Sequence, residues 1–317
     1  MESTTMPRSS PKPLLVALLA LCATFLWGSA YPAVKLGYAA FQVPADQPFS
    51  QQLFGGVRFM IAGALILLER LALHPNVLLP RKGGWGRVIK LGLVCTVLQY
   101  VPYYIGLSHT AGVKCSIIGA SSVFLSILIG CWAFRMEKLT LRKLGGCLLG
   151  FLGVVLINLD GGSFGGGFRA DGELLILLST LMSALATVQV KRYSAYDDTF
   201  MLYGWQFLLG GFVMAVIGLL GGGSIAPAAP SSWLLLLYLS FVSAGAYGLW
   251  GLLLRDHPVS QVVVWQFMTP IFGSVLSILF LGEHQALTWM VPLALVLVCC
   301  GIVFVNTTPP SAGQRLS

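Results

Sequence analysis

The chain has 317 residues, 56% of them apolar and only 9% charged, with a formal net charge of +8. Soluble domains carry roughly a quarter charged residues, so this composition excludes an ordinary soluble enzyme or nucleic-acid-binding module. Apolar stretches of about 20 residues recur, each able to cross ~30 Å of hydrocarbon. They run without the period-two alternation of outer-membrane strands, which points to an all-α membrane protein.

Residues 1–13 hold three prolines and several Ser/Thr and read as a disordered tail. Candidate membrane helices follow at 14–38, 51–71, 87–108, 113–134, 140–159, 172–191, 199–220, 232–254, 259–280 and 286–306, and 307–317 form a second tail. The first span is too long for a signal-peptide core of about 7–15 residues. The expected architecture is ten transmembrane helices, five in 14–159 and five in 172–306, joined by a glycine-rich linker at 160–171. That linker lacks the Gly-Lys-Ser/Thr ending of a phosphate-binding loop.

The two halves answer each other. Set over Trp250-Gly251-Leu252-Leu253, the run Tyr104-Ile105-Gly106-Leu107 carries Val113 onto Val259, Phe134 onto Phe280 and Glu137 onto Glu283 without a gap. An odd number of spans per half makes the repeats inverted, the arrangement of many secondary transporters, whose sites lie where the repeats meet. With the N-terminus inside, 15 of the 19 Lys and Arg residues fall on the cytoplasmic side, and only Lys114 and Arg169 fall outside. By the positive-inside rule both termini are cytoplasmic, and the net charge reports topology without any nucleic acid. The seven cysteines sit in apolar runs or at their ends without metal-ligand spacing and read as packed thiols. No metal or other cofactor is implied.

Trp27, Tyr31 and Lys35 are four apart and share one face of the first helix, with Pro32 expected to kink it. They read as a cavity wall, or for Lys35 as a side chain snorkelling to the outer surface. Arg58 lies about two turns into the second span, where an arginine costs ~2.5 kcal/mol or more and normally finds a partner. It is either an anchor for a substrate carboxylate or phosphate or a support of the bundle. Its counterpart in the second half is Gln206. Gln99 and Tyr103 on the third span, Tyr247 and Trp250 on the eighth, and Trp265 and Gln266 on the ninth add polar and stacking groups at mid-membrane. All eleven Asp and Glu residues sit in tails, loops or span ends. Cavity charge is therefore positive, which favours anionic, zwitterionic or neutral solutes. Gly145, Gly146, Gly150 and Gly153 on the fifth span read as close helix packing, with a dimer face as the sharper alternative.

Several stretches resemble the EamA family of the drug/metabolite transporter superfamily over residues 14–306. They are Leu26-Trp27-Gly28-Ser29-Ala30-Tyr31-Pro32-Ala33-Val34-Lys35, Arg58-Phe59 with Ala62, Tyr104 to Gly112, Glu137 with Leu139-Thr140, and Pro270 with Leu281-Gly282-Glu283. The resemblance implies a solute carrier of the inner membrane with a cavity walled by helices 1–4 and 6–9 and with helices 5 and 10 behind. It implies a small-molecule solute and the lipid bilayer as partners, and monomers or homodimers as assemblies. Phe124 stands where the first repeat often has the proline matched by Pro270, so a straighter fourth helix is expected. The leading expectation is a secondary transporter exporting amino-acid-like metabolites by alternating access. A cation or drug carrier with an aromatic cage is the second. A membrane-embedded enzyme is a distant third, for want of a buried acid pair or nucleophile–base set.

Overall fold

The computed structural model describes residues 13–44, 46–109, 112–159, 169–281 and 290–307. The tails and residues 160–168 of the expected linker lie outside the described residues. Within them the regular elements are helical: α1 (Pro13–Ala40), α2 (Pro48–Leu73), α3 (Trp85–Gly92), α4 (Leu98–Leu107), α5 (Gly112–Ala120), α6 (Ser122–Leu128) and α7 (Leu141–Leu159), then α8 (Glu173–Tyr193), α9 (Thr199–Leu220), α10 (Ser232–Asp256), α11 (Val259–Val263), α12 (Met268–Leu281) and α13 (Met290–Asn306). Six described stretches are long and apolar enough to cross a bilayer: Pro13–Ala40, Trp85–Leu107, Glu173–Tyr193, Thr199–Leu220, Ser232–Asp256 and Val259–Phe280. Ile117–Ala133 and Pro292–Asn306 are shorter apolar helices. Leu220, Leu234, Leu279 and Phe280 are exposed on the outside, as a lipid-facing surface requires.

Three irregular turns interrupt the rods. A π turn at Leu93–Val97 joins α3 to α4, a second at Ile129–Ala133 extends α6, and a 3-10 turn at Val264–Phe267 joins α11 to α12. The fourth segment is also broken, at Ser121 between α5 and α6, against the expectation drawn from Phe124. There the Ser121 amide and hydroxyl both donate to the Ile118 carbonyl, at 3.0 and 2.6 Å. The first helix, by contrast, continues through Pro32.

Glycine decides which helices touch. α2 lies along α9, and α7 along α13. A Cβ on Gly56 would stand 2.6 Å from the Ala215 amide nitrogen, one on Gly63 2.6 Å from the Gly204 carbonyl, and one on Gly211 2.8 Å from the Gly56 carbonyl. Rising numbers on α2 meet falling numbers on α9, so the pair is antiparallel. Gly204, Gly211 and Gly218 recur every seven residues, which keeps one stripe turned to one neighbour. Likewise Gly146 and Gly153 of α7 approach the Gly301 and Ala294 carbonyls of α13, each 2.8 Å from an added Cβ. The fifth-span glycines are thus used in packing within the chain. α1 rests on α10 and α12, and α8 rests on α4, α5 and α6.

A methyl group at Gly56 has to displace backbone of α9, because it meets no flexible side chain there. Gly56→Ala is expected to lower the melting temperature in detergent by the equivalent of ~1–3 kcal/mol. Gly86→Ala, with nothing within 4 Å of the new atom, is expected not to lower it; a thermal-shift assay on both variants checks the contrast.

Candidate functional site

Between the packed pairs lies a cavity of ≈ 560 Å³, within the ~300–1,000 Å³ usual for small-molecule sites. Nine of the residues singled out in the sequence line it: Trp27, Tyr31, Lys35, Arg58, Gln99, Tyr103, Tyr247, Trp250 and Gln266. The wall draws on α1, α2, α4, α5, α6, α8, α9, α10, the Val264–Phe267 turn and the start of α12, with Cys95 from the first π turn and Val154 from α7.

α1 presents its Trp27–Tyr31–Lys35 face because it is held close to α12 by small residues. A Cβ on Gly28 would touch Phe272, and one on Gly273 would stand 2.7 Å from the Tyr31 ring. Trp27 then meets Tyr247 and Trp250 of α10 edge-on, with ring centroids 5.2 and 5.0 Å apart. The Tyr247 and Tyr100 hydroxyls share a 2.7 Å hydrogen bond. Tyr100 leans on Phe59 at 4.7 Å, and Phe59 stacks on Phe207 at 5.1 Å. A continuous aromatic band therefore runs between the N- and C-terminal halves of the chain.

Arg58 lies at the end of that band, only 8% exposed. Its guanidinium sits 4.7 Å from the Phe59 ring centroid, a cation–π contact that partly offsets desolvation. Its Nε has no hydrogen-bond partner. Tyr38, Tyr100 and Tyr104 line the same cavity.

Two expected residues stand elsewhere. Gln206 is fully buried, and its Oε1 accepts a 2.7 Å hydrogen bond from Thr96 in the π turn. It fastens α9 to the π turn and does not line the cavity. Trp265 is also absent from the lining. The 3-10 turn advances each residue by ~120° where an α-helix advances ~100°. Gln266 and Phe267 of the turn and Thr269 and Pro270 at the start of α12 reach the wall, and Trp265 does not.

The sequence reading missed the wall made by α8, where Ser179, Ser183 and Thr187 recur at four-residue spacing, with Thr180 beside them. That spacing was a legible signal. It also missed Tyr38 and Cys95.

Around the cavity the two halves are tied by polar contacts. Arg87 pairs with Asp197 at 2.5 Å, and Arg70 approaches Asp198 at 3.6 Å and the Phe200 ring at 4.5 Å. Glu137 accepts from the Ser260 amide at 3.1 Å and from the Ser260 hydroxyl, capping α11, and holds Lys143 at 2.7 Å. Elsewhere the Ala226 and Ala228 amides donate to the Phe41 and Ala40 carbonyls at 3.1 and 2.9 Å.

Comparison with known proteins places this architecture. The model of the EamA-like transporter family matches residues 14–159 and 170–307. The chain belongs to the EamA-like transporter family. Among EamA-like relatives, an uncharacterized transporter, YvbV, of Bacillus subtilis (strain 168) is 29% identical, with 92% of this chain and 91% of that protein covered. A WAT1-related chloroplastic protein of Arabidopsis thaliana is 28% identical over 88% of this chain and 67% of its own length. An uncharacterized transporter of Synechocystis sp. is 30% identical over 84% and 83%. A solved crystal structure at 19% identity superposes with a TM-score of 0.73 over 93% of this chain and 97% of that one, which shows a shared fold. This EamA-like protein is accordingly an integral, multi-pass membrane protein of a transporter family.

If Gln206 serves the bundle, Gln206→Leu strands the Thr96 hydroxyl in the interior at a cost of about 1–3 kcal/mol. The expected result is a lower melting temperature with unchanged ligand affinity in the fraction that folds, read by thermal shift and by titration of tryptophan fluorescence.

Proposed function

We propose that the chain is a secondary transporter of the inner membrane. It moves small metabolites such as amino acids, outward, by alternating access of two inverted five-helix repeats, 14–159 and 172–306, joined by 160–171. The observation that carries this reading is the cavity itself, walled by both halves and crossed by the aromatic band. Exchange of the halves leaves the packing scheme unchanged. α2 and α9 lie antiparallel against each other, as do α7 and α13; α1 rests on α10 and α12 as α8 rests on α4, α5 and α6. That is the pattern expected of a pseudo-twofold axis in the membrane plane.

With ten crossings and cytoplasmic termini, the ties of Arg87 to Asp197, Arg70 to Asp198 and Glu137 to Ser260 all fall on the cytoplasmic face. Lys35, Leu107, Cys115 and Ile176 mark the cavity's outer end. The reading is then of an outward-facing state whose inner side is closed by polar ties. The rival cation-carrier reading has the aromatic rings in its favour and the buried Arg58 against it.

Purified protein in proteoliposomes is expected to move members of a metabolite panel, followed by mass spectrometry, with saturation. Tyr247→Ala, which removes the hydroxyl shared with Tyr100, is expected to cut flux by about tenfold, the equivalent of ~1.4 kcal/mol. Movement of no panel member would overturn the proposal. Tags on the two termini are expected to be inaccessible from outside intact cells; one tag outside would overturn the inverted ten-helix topology.

A further inference from the structure

The polar atoms left unspent around the cavity have a common character. Arg58 Nε and Trp250 Nε1 belong to lining side chains, both more than nine-tenths buried, and neither has a hydrogen-bond partner. Each can only donate. A lining hydroxyl, that of Thr269, is likewise unpaired and able to donate. Lys35 also lines the wall, and no Asp or Glu is among its described lining residues. Glu173, at the start of α8, lies outside the lining and accepts the Arg169 amide at 2.9 Å. Such a wall offers protons and positive charge and presents no carboxylate to receive an ammonium group. Phe59 covers one side of the Arg58 guanidinium. A carboxylate can take the planar fork edge-on.

Resting on the transporter reading, we infer that this cavity recognises its solute through a carboxylate and not through an ammonium group. Arg58 anchors the carboxylate, Trp250 donates to an acceptor on the solute, and the Trp27–Tyr247 rings receive an apolar body. An amino acid is then held by its acid end. Its des-amino analogue binds at least as well, and the amine left by removing the carboxylate does not bind.

The test uses three probes that differ only in these groups: 3-phenylpropanoate, phenylalanine and phenethylamine. Each is titrated against the full-length protein in nanodiscs and read by tryptophan fluorescence. The expected order places 3-phenylpropanoate at or above phenylalanine and phenethylamine about tenfold or more weaker, since the buried donors go unmet by an amine. Arg58→Gln is expected to weaken 3-phenylpropanoate by about tenfold or more, the range for losing a charge-assisted partner. Trp250→Phe is expected to weaken it by about threefold or more. Phenethylamine binding as tightly as the acids, or none of the three binding, overturns the inference. So does a folded Arg58→Gln protein that binds like the wild type. Should Arg58→Gln fail to fold, Arg58→Lys, which keeps the charge and loses the fork, and Trp250→Phe decide together. Liposome flux separates the two readings. Movement of phenethylamine or neutral solutes but of no carboxylate overturns this inference and leaves the transporter. Binding in the expected order without flux overturns the transporter and leaves the recognition.

Discussion

The structure depends on backbone touching backbone where α2 crosses α9. In lipid the apolar effect does little to hold helices together, so association rests on close van der Waals fit and internal polar contacts. Gly56, Gly63 and Gly211 supply that fit by bringing backbone onto backbone, and Gly204 by making room for the Leu67 side chain. The approach brings Phe59 onto Phe207, hence Tyr100 onto Phe59 and Tyr247 onto Tyr100. It also holds Arg58, one residue before Phe59, at the edge of the cavity.

A second constraint is the accounting of polar groups in an interior that has few. The Gln206 Oε1 accepts from Thr96 at the π turn, Glu137 accepts from the Ser260 amide at the start of α11, and one Asp197 oxygen pairs with Arg87. Arg58 Nε and Trp250 Nε1 differ from other unpartnered buried atoms, such as Gln206 Nε2 and Asp197 Oδ1, in belonging to side chains that line the cavity. The ties between halves gather at helix ends, and the cavity wall between them is built mostly of rings and small hydroxyls. In the proposed reading, binding and bracing are thus carried by different residues.

Much of this was legible in the sequence. Hydropathy and length located the helices, and α1 shows why side-chain spacing worked where it did: the helix is regular, so Trp27, Tyr31 and Lys35 share a face as four-residue spacing requires. The same rule misled for Trp265, because a 3-10 turn changes the angular step just there, and for Gln206, because nothing in its neighbours announces the π turn that brings Thr96 to it. The fourth segment is interrupted at Ser121 although Phe124 stands where a proline is often found, so the absence of proline did not ensure an unbroken helix. The heptad of Gly204, Gly211 and Gly218 and the Ser179–Ser183–Thr187 stripe were visible but went unused; both are faint in a strongly apolar helix, where small residues are common.

The glycine seam carries a mechanical implication. Side chains yield by changing rotamer, whereas two backbones in direct touch have nothing to compress and little to slide on. Under the transporter proposal the α2–α9 line would serve as an axle, about which the halves swivel and along which they neither part nor shear. In the proposed rocking motion, displacement would be smallest along this seam and greatest far from it, at α1, α8 and the turns that follow them.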